Sequence, residues 1–251
     1  MVSRAGLAQE RVLLLPPADV METISSIKGR VTTTILDPWY NKGVGGTRPD
    51  YDDWVVDLLS ATGEISDHVF LWGFPEIVAR LIGRLPQGME LVAWLTWYYK
   101  NCPSVIRGWR SSQLACLHLS RSGARLYPEH FLNGAQQRLQ FEKKLRYMPG
   151  PPSVIEVPLL VGFVGRSEQT GHPAQKPVKV IEPLVLMTTQ EDDVVLDPMC
   201  GSGTTGLVCS ALNRRAVLCD HSDEYTHMTE ERLGATRVHR RAEALRKWGL
   251  G

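Results

Sequence analysis

Two stretches of the chain set chemically capable residue types at informative spacings. In Asp197-Pro-Met-Cys-Gly-Ser-Gly-Thr-Thr205 an acidic residue follows the apolar run Val194-Val-Leu196 and opens a turn in which Gly201 and Gly203 let the backbone bend tightly and approach a ligand. The helix expected next, to Leu212, starts with free N–H donors. Asp220 closes the following apolar run, 23 residues after Asp197, close to the spacing at which a carboxylate on the neighbouring strand receives ribose hydroxyls. An adenosine-containing cofactor fits. ATP does not, because no Lys-Ser or Lys-Thr follows the glycines and an acidic Asp197 at the mouth disfavours phosphate. A glycine turn without a ligand is the alternative that this loop alone leaves open. The second stretch, Asp37-Pro-Trp-Tyr40, ends the β-branched run Val31–Leu36 and leads into a glycine-rich segment, residues 41–46.

Both stretches need elements that hold them in place. The patterning predicts strands over 31–36, 68–72, 90–98, 114–119, 194–196 and 216–219, helices over 54–61, 75–85 and 178–188, and a helix to 212 that follows the turn over 198–205. Residues 131–147 read as a helix within the polar, basic stretch 121–152. Alternation at both ends of the chain argues for a mainly parallel sheet with helices on both faces. In such a sheet ligands sit beyond the carboxyl ends of the strands, where both loops fall.

Composition narrows the class. The 251 residues are 43% hydrophobic and 22% charged, which excludes a disordered chain, a collagen-like repeat or a small domain needing staples. No apolar run reaches the roughly 18 residues of a membrane span; the nearest, 91–99, ends at Lys100. Leu13-Leu-Leu15 stops at Pro16-Pro17 without a small-residue cleavage site, which argues against a secretory leader. Five cysteines without a Cys-x-x-Cys spacing argue for reduced thiols in a cytosol and give no indication of a metal site. The net charge of +1 conceals a division, since residues 91–150 carry nine bases against Glu129 and Glu142. An excess of that size can build an anion-binding face, and a merely solvated surface is its competitor.

Here the residues carry a resemblance. Asp37-Pro-Trp-Tyr40 resembles the catalytic tetrapeptide of S-adenosylmethionine-dependent DNA amino-methyltransferases, usually Asp-Pro-Pro-Tyr or Asp-Pro-Pro-Trp in adenine enzymes and Ser-Pro-Pro-Tyr in many cytosine-N4 enzymes. Asp197 to Thr205 is similar to their cofactor motif, Asp-Pro-Phe-x-Gly-Ser-Gly-Thr-Thr. His172-Pro-Ala-Gln-Lys-Pro177 matches the preceding His-Pro-x-Gln-Lys-Pro. Catalytic motif first and cofactor motif last is the permuted beta class, and the resemblance covers about residues 31–233. It implies an α/β, Rossmann-like methyltransferase fold, with a mixed, mostly parallel sheet. The divisions expected are an N-terminal extension (1–30), a catalytic half (31–120), a short basic target-recognition segment (121–167) and a cofactor-binding half with a basic C-terminal helix (168–251).

The resemblance also assigns roles. Asp37 and the Pro38 carbonyl would accept the hydrogens of an exocyclic amine, and Tyr40 would stack on the flipped base. Trp39, where the family usually has a second proline, would narrow the base pocket or shift the loop. S-adenosyl-L-methionine would meet Lys176, Pro177, Asp197, Pro198, Cys200, Gly201, Ser202, Gly203, Thr204 and Thr205, with Asp220 on the ribose and His221 along the adenine. Cys200 is not read as a nucleophile, and His172 is read as ordering the turn before Lys176. Lys100, Arg107, Arg110, Arg138, Lys143, Lys144 and Arg146 would hold DNA. Residues 97–100 and 107–110 would line the base pocket, although a core position explains Trp97 equally well, and loop 41–46 would order on DNA binding. The implied activity is adenine-N6 methylation of a short duplex DNA site, with cytosine-N4 methylation and a non-catalytic nucleic-acid-binding relative as alternatives. Candidate partners are a cognate restriction endonuclease and a second copy of the chain; the expected setting is a prokaryotic or phage-encoded cytoplasmic enzyme.

Overall fold

The computed structural model describes residues 10–41, 46–102, 105–106 and 108–251. Loop 41–46 and Arg107 therefore fall wholly or largely outside the described residues. An eight-stranded sheet forms the centre. In chain order its strands are β1 (Val12–Leu14), β2 (Val31–Leu36), β3 (Ser66–Gly73), β4 (Met89–Tyr98), β7 (Gln113–Arg121), β8 (Val154–Glu156), β9 (Val194–Asp197) and β10 (Arg215–Leu218). A separate hairpin, β5 (Val105–Ile106) and β6 (Trp109–Arg110), joins β4 to β7. The spatial order is β1-β10-β9-β2-β3-β7-β4-β8. All neighbours are parallel except β7, which runs antiparallel to both β3 and β4.

The central strands are apolar on both sides because both faces are covered. On β3, Phe70 and Trp72 enter one core and Val69 and Leu71 the other. The first core takes its helical side from α5 (Val178–Thr188) and α6 (Thr204–Ala211). The second takes it from α1 (Val20–Ser26), α2 (Tyr51–Ile65) and α3 (Pro75–Leu81). Hydroxyls inside the sheet are paired: Thr33 donates to Thr188 Oγ1 (2.7 Å), and Thr34 Oγ1 and Ser66 Oγ share a bond of the same length.

Three expectations change. Residues 12–26, read as part of an extension, supply edge strand β1, which pairs with β10 from Val12↔Ala216 to Leu14↔Leu218, and helix α1, whose N-cap Asp19 accepts from Met21 N. The helix over 131–147 shrinks to α4 (Gly134–Phe141), opened by an Asn133–Gln136 capping box. It stops because Lys143 takes φ 57° and no helical residue is buried to repay continuation. The helix over 75–85 ends at Leu81 and tightens into a 3₁₀ turn.

Candidate functional site

Parallel pairing of β2 with β9 through Thr33↔Val195 and Thr34↔Leu196 puts the Asp37 and Asp197 loops side by side at one rim of the sheet. β10 adds Asp220 at the same rim, and hairpin β5–β6 rises from that side as well, because Tyr98 at the end of β4 pairs with Gln113 at the start of β7.

The glycine loop folds back on itself. Cys200 N donates to Cys219 O (2.9 Å) and Gly203 N to Cys200 O (2.8 Å). Gly201 and Gly203 hold φ of 51° and 74°, which side chains rarely adopt. A Cβ would also meet His172 Nε2 at 2.8 Å in the first and Thr229 Cγ2 at 2.8 Å in the second. Asp220, 5% exposed, staples the turn, with Oδ2 accepting from Gly201 N and Oδ1 from Ser222 N, each at 2.9 Å. Two further residues, which no motif in the sequence marks, tie the loop. Thr229 donates to Gly201 O (2.9 Å), and Arg232 Nη1 donates to Ser202 O (3.0 Å) and Thr204 Oγ1 (2.8 Å). Both sit on α7 (Asp223–Leu233), and their only trace in the sequence is helical spacing three apart on a face turned to the loop.

Asp197 is buried and accepts from the Thr205 hydroxyl and from Met199 N. Burial pushes its acid up to about 7 against the pull of those two bonds. Among the described residues no cation pairs with it, so a positively charged group would be welcome there. Asp220 has used one lone-pair direction on each oxygen and keeps others for hydroxyls. The pair therefore suits a molecule with a ribose diol and an ammonium group.

Lys176 departs from its expected place. Its backbone carbonyl accepts from Thr204 Oγ1 (2.9 Å), which ties it to the glycine loop. Its side chain, however, crosses to the other motif, where Nζ donates to Asp37 Oδ2 and to the Tyr40 hydroxyl (3.0 Å). Tyr40 in turn donates to Asp37 Oδ1 (2.9 Å). The side chain is 6% exposed, and its ammonium lies 5.2 to 5.8 Å from the ring centroids of Trp72, Tyr40 and Trp97. Burial and the Asp37 charge raise the Tyr40 phenol well above its ordinary value, so it is a neutral donor. Its ring tilts against Phe74 at 4.8 Å. Trp97 is 2% exposed and donates to Val157 O (2.7 Å), so it is both a core residue and a wall of this cage.

Other side chains sit elsewhere. Trp39 packs on α2, against Trp54 (4.9 Å) and Tyr51 (5.3 Å), and its carbonyl accepts from the Tyr51 hydroxyl (2.6 Å). It anchors the loop to a helix through ring and carbonyl together. The Cys200 thiol turns inward, 3.9 Å from Thr229 Oγ1, and burial raises it well above the ordinary thiol value, so only its backbone serves the loop. His221 is exposed, with Nδ1 3.3 Å from Asp220 Oδ1. His172 accepts from Ala174 N at Nδ1 (3.2 Å) and shapes the turn before Lys176.

Among the basic residues, Lys100 pairs with Glu156 (2.5 Å) and Lys144 with Glu142 (2.8 Å), while Arg110, Arg138, Lys143 and Arg146 are exposed. The segment holding the last three is rooted away from the rim, where Tyr127 N donates to Met187 O (2.8 Å) near the end of α5. It returns through β8, where Val157 N donates to Tyr98 O (3.1 Å). Among the described residues, no cluster of three or more His, Cys, Asp or Glu could hold a metal ion, and no helix is long and apolar enough to cross a membrane.

Residues 76–231 match a protein family described as DNA methylase. That span contains the His172–Lys176 segment, the glycine loop and Asp220, and begins after Asp37–Tyr40. The Type II methyltransferase M.HpaI of Haemophilus parainfluenzae is 31% identical over 150 residues, 58% of this chain and 46% of that protein, so the match spans less than half of the relative. In fold the chain is similar to the crystal structure of an M1.HpyAVI–SAM complex (TM-score 0.66, 20% identity, 88% of this chain and 98% of that one). It is equally similar to the PvuII DNA methyltransferase, described as cytosine-N4-specific (TM-score 0.67, 14% identity, 95% and 93%). A family match over more than half of the sequence, falling on this sheet and enclosing the glycine loop, means that the chain belongs to the DNA methylase family of N6 and N4 amino-methyltransferases, which uses S-adenosylmethionine.

Proposed function

We propose that this protein is a site-specific DNA methyltransferase acting on an exocyclic amine, the N6 of adenine in a short duplex site. The observation that supports the reading is the adjacency of the Asp37 and Asp197 loops, which sets an acceptor for an amine beside a cradle suited to S-adenosylmethionine. When bound, that cofactor supplies an electrophilic methyl on a positively charged sulfur. Asp220 offers its remaining lone pairs to the ribose, and Asp197 offers a buried carboxylate to the ammonium of the methionine end.

The rest of the chemistry belongs to the Asp37 loop. An exocyclic amine is a poor nucleophile because its lone pair is delocalised into the ring. Accepting its hydrogens at the Asp37 carboxylate and the Pro38 carbonyl turns that lone pair toward the methyl, and the proton leaves with or after transfer. Tyr40 keeps its hydroxyl on Asp37 while its ring stacks on the flipped base, offsetting part of the few kcal/mol that flipping costs. Lys100, Arg110, Arg138, Lys143, Lys144 and Arg146 position the duplex through phosphates. Aspartate at position 37, where many cytosine enzymes carry serine, favours adenine.

The test is single-turnover transfer of labelled methyl to duplex DNA, with the product nucleoside identified. The expected product is N6-methyladenine, and Asp37→Ala should fold and bind cofactor yet lose a hundred- to thousandfold in rate, about 3–4 kcal/mol. A near wild-type rate refutes the mechanism, and label on cytosine N4 moves the reaction to the other base.

A further inference from the structure

The one negative charge at the Asp37 loop is already taken in the free protein. Both Asp37 oxygens are engaged, Oδ1 by the Tyr40 hydroxyl and Oδ2 by Lys176 Nζ. The ammonium that holds Oδ2 is almost wholly buried and is walled by Tyr40, Trp72 and Trp97. Aromatic faces and one carboxylate make a site for a single cation. On the function proposed above, the amine held at Asp37 must meet a methyl carried by a sulfonium, so a second positive charge has to come within a few ångströms of the same carboxylate. Two unit charges that close in a poorly solvated pocket repel by an amount worth roughly tenfold or more in affinity.

We propose that Lys176 is a charge-reading gate. Its ammonium covers Asp37 in the free protein and withdraws when the cofactor carries its sulfonium. It returns when transfer has left the neutral thioether, S-adenosylhomocysteine, in the cradle. Asp37 is thus opened to a target amine only while a methyl is available, and the returning ammonium competes the methylated base away. The position of Lys176 suits that task, since its backbone is fixed to the glycine loop through Thr204 and only its side chain need move.

Calorimetric titration of S-adenosylmethionine and S-adenosylhomocysteine into the wild type and into Lys176→Met, without DNA, reads the gate apart from activity. Removing the ammonium should tighten the sulfonium ligand about tenfold relative to the thioether. Because Lys176→Met buries an unpaired Asp37, the wild type supplies an independent measurement. With lysine side chains labelled by ¹⁵N, an exchange-protected ammonium signal should be present in the free protein, persist with S-adenosylhomocysteine and be lost with S-adenosylmethionine. A ratio of affinities unmoved by the substitution, or a protected signal indifferent to which ligand is bound, overturns the gate while leaving methyl transfer intact. A wild type that binds neither ligand instead overturns the functional reading on which the gate rests.

Discussion

Asp220 has two tasks that one pair of substitutions separates. Its carboxylate accepts from Gly201 N inside the glycine loop and from Ser222 N at the start of α7, and on the proposed function it also accepts from the cofactor ribose. Asp220→Ala leaves the buried Gly201 donor without an acceptor, at about 1–3 kcal/mol, whereas the half-buried Ser222 donor can turn to water. The folded state should therefore lose about 1–3 kcal/mol. Asp220→Asn keeps one carbonyl oxygen for Gly201 and sets its NH₂ against Ser222, so about 1 kcal/mol is the expected loss. Cofactor affinity should follow a different rule, because both variants lose the charge. Each should weaken S-adenosylmethionine binding by about 1.5–3 kcal/mol, roughly 10- to 150-fold.

Urea unfolding with and without ligand reads both tasks at once. Cofactor at 100 times the wild-type Kd stabilises the wild type by about 2.7 kcal/mol, but a variant weakened 100-fold by only about 0.4 kcal/mol. If Asp220→Asn kept the full ligand-induced shift while Asp220→Ala was destabilised, Asp220 would be a staple of the loop and nothing more.

Three further outcomes are expected. Because burial lifts the Asp197 acid to about 7, the unliganded fold holds a proton that the unfolded chain releases near 4; the stabilisation from this group is full below that value and lost as pH rises through about 7. Cofactor affinity should run oppositely, climbing from pH 6 to 8 as the carboxylate ionises, and Asp197→Asn should flatten both profiles in calorimetry and in urea titrations. Gly203→Ala should cost about 2–4 kcal/mol, from a left-handed φ and a Cβ 2.8 Å from Thr229; Gly88→Ala, with φ 83° and open space around it, should cost only the backbone share, and equal losses in urea would dismiss the packing argument. Replacing Lys143, Lys144 and Arg146 together with alanine should weaken DNA binding and lower its salt slope by up to about three counterions, while an unchanged slope would make them a solvated face.

What could be read in the sequence was whatever one segment decides alone. The strand Val31–Leu36 and the helix Val178–Thr188 appear with their expected bounds, because β-branched and 3.6-residue patterning are unambiguous there. The glycine turn was legible because Gly201 and Gly203 take the positive φ that such a turn demands. Strand β1 was not, since three residues beside Pro16-Pro17 are paired with a strand some 200 residues away. The direction of β7 was also hidden, because side-chain periodicity is the same in parallel and antiparallel strands. Long side chains were the other loss. Lys176 was assigned by its motif to the cofactor, yet its four-carbon stem carries the charge across to Asp37, and Trp39 turns to α2, a choice made by packing rather than by the tetrapeptide.

The register between β2 and β9 sets the two motifs at different levels of one rim of the sheet. Thr34 lies opposite Leu196, so Asp197 is level with Ile35 and Asp37 stands two residues farther out, about 6–7 Å along the strand direction. Neighbouring residues on adjacent strands point to the same face, and so do residues two apart. Ile35 and Val195 both enter the core beneath α5 and α6, so Asp197 and, continuing the alternation, Asp37 turn toward that same side. Their burial agrees, with Asp197 6% exposed and the Asp37 side chain 21%. Lys176 stands two residues before α5 begins, on that face, which is why its ammonium can reach the outer carboxylate while its backbone is fixed to the inner loop. On the proposed function the cofactor therefore occupies the deeper level and the target base the shallower one, and a base arriving from a duplex reaches Asp37 without crossing the glycine loop.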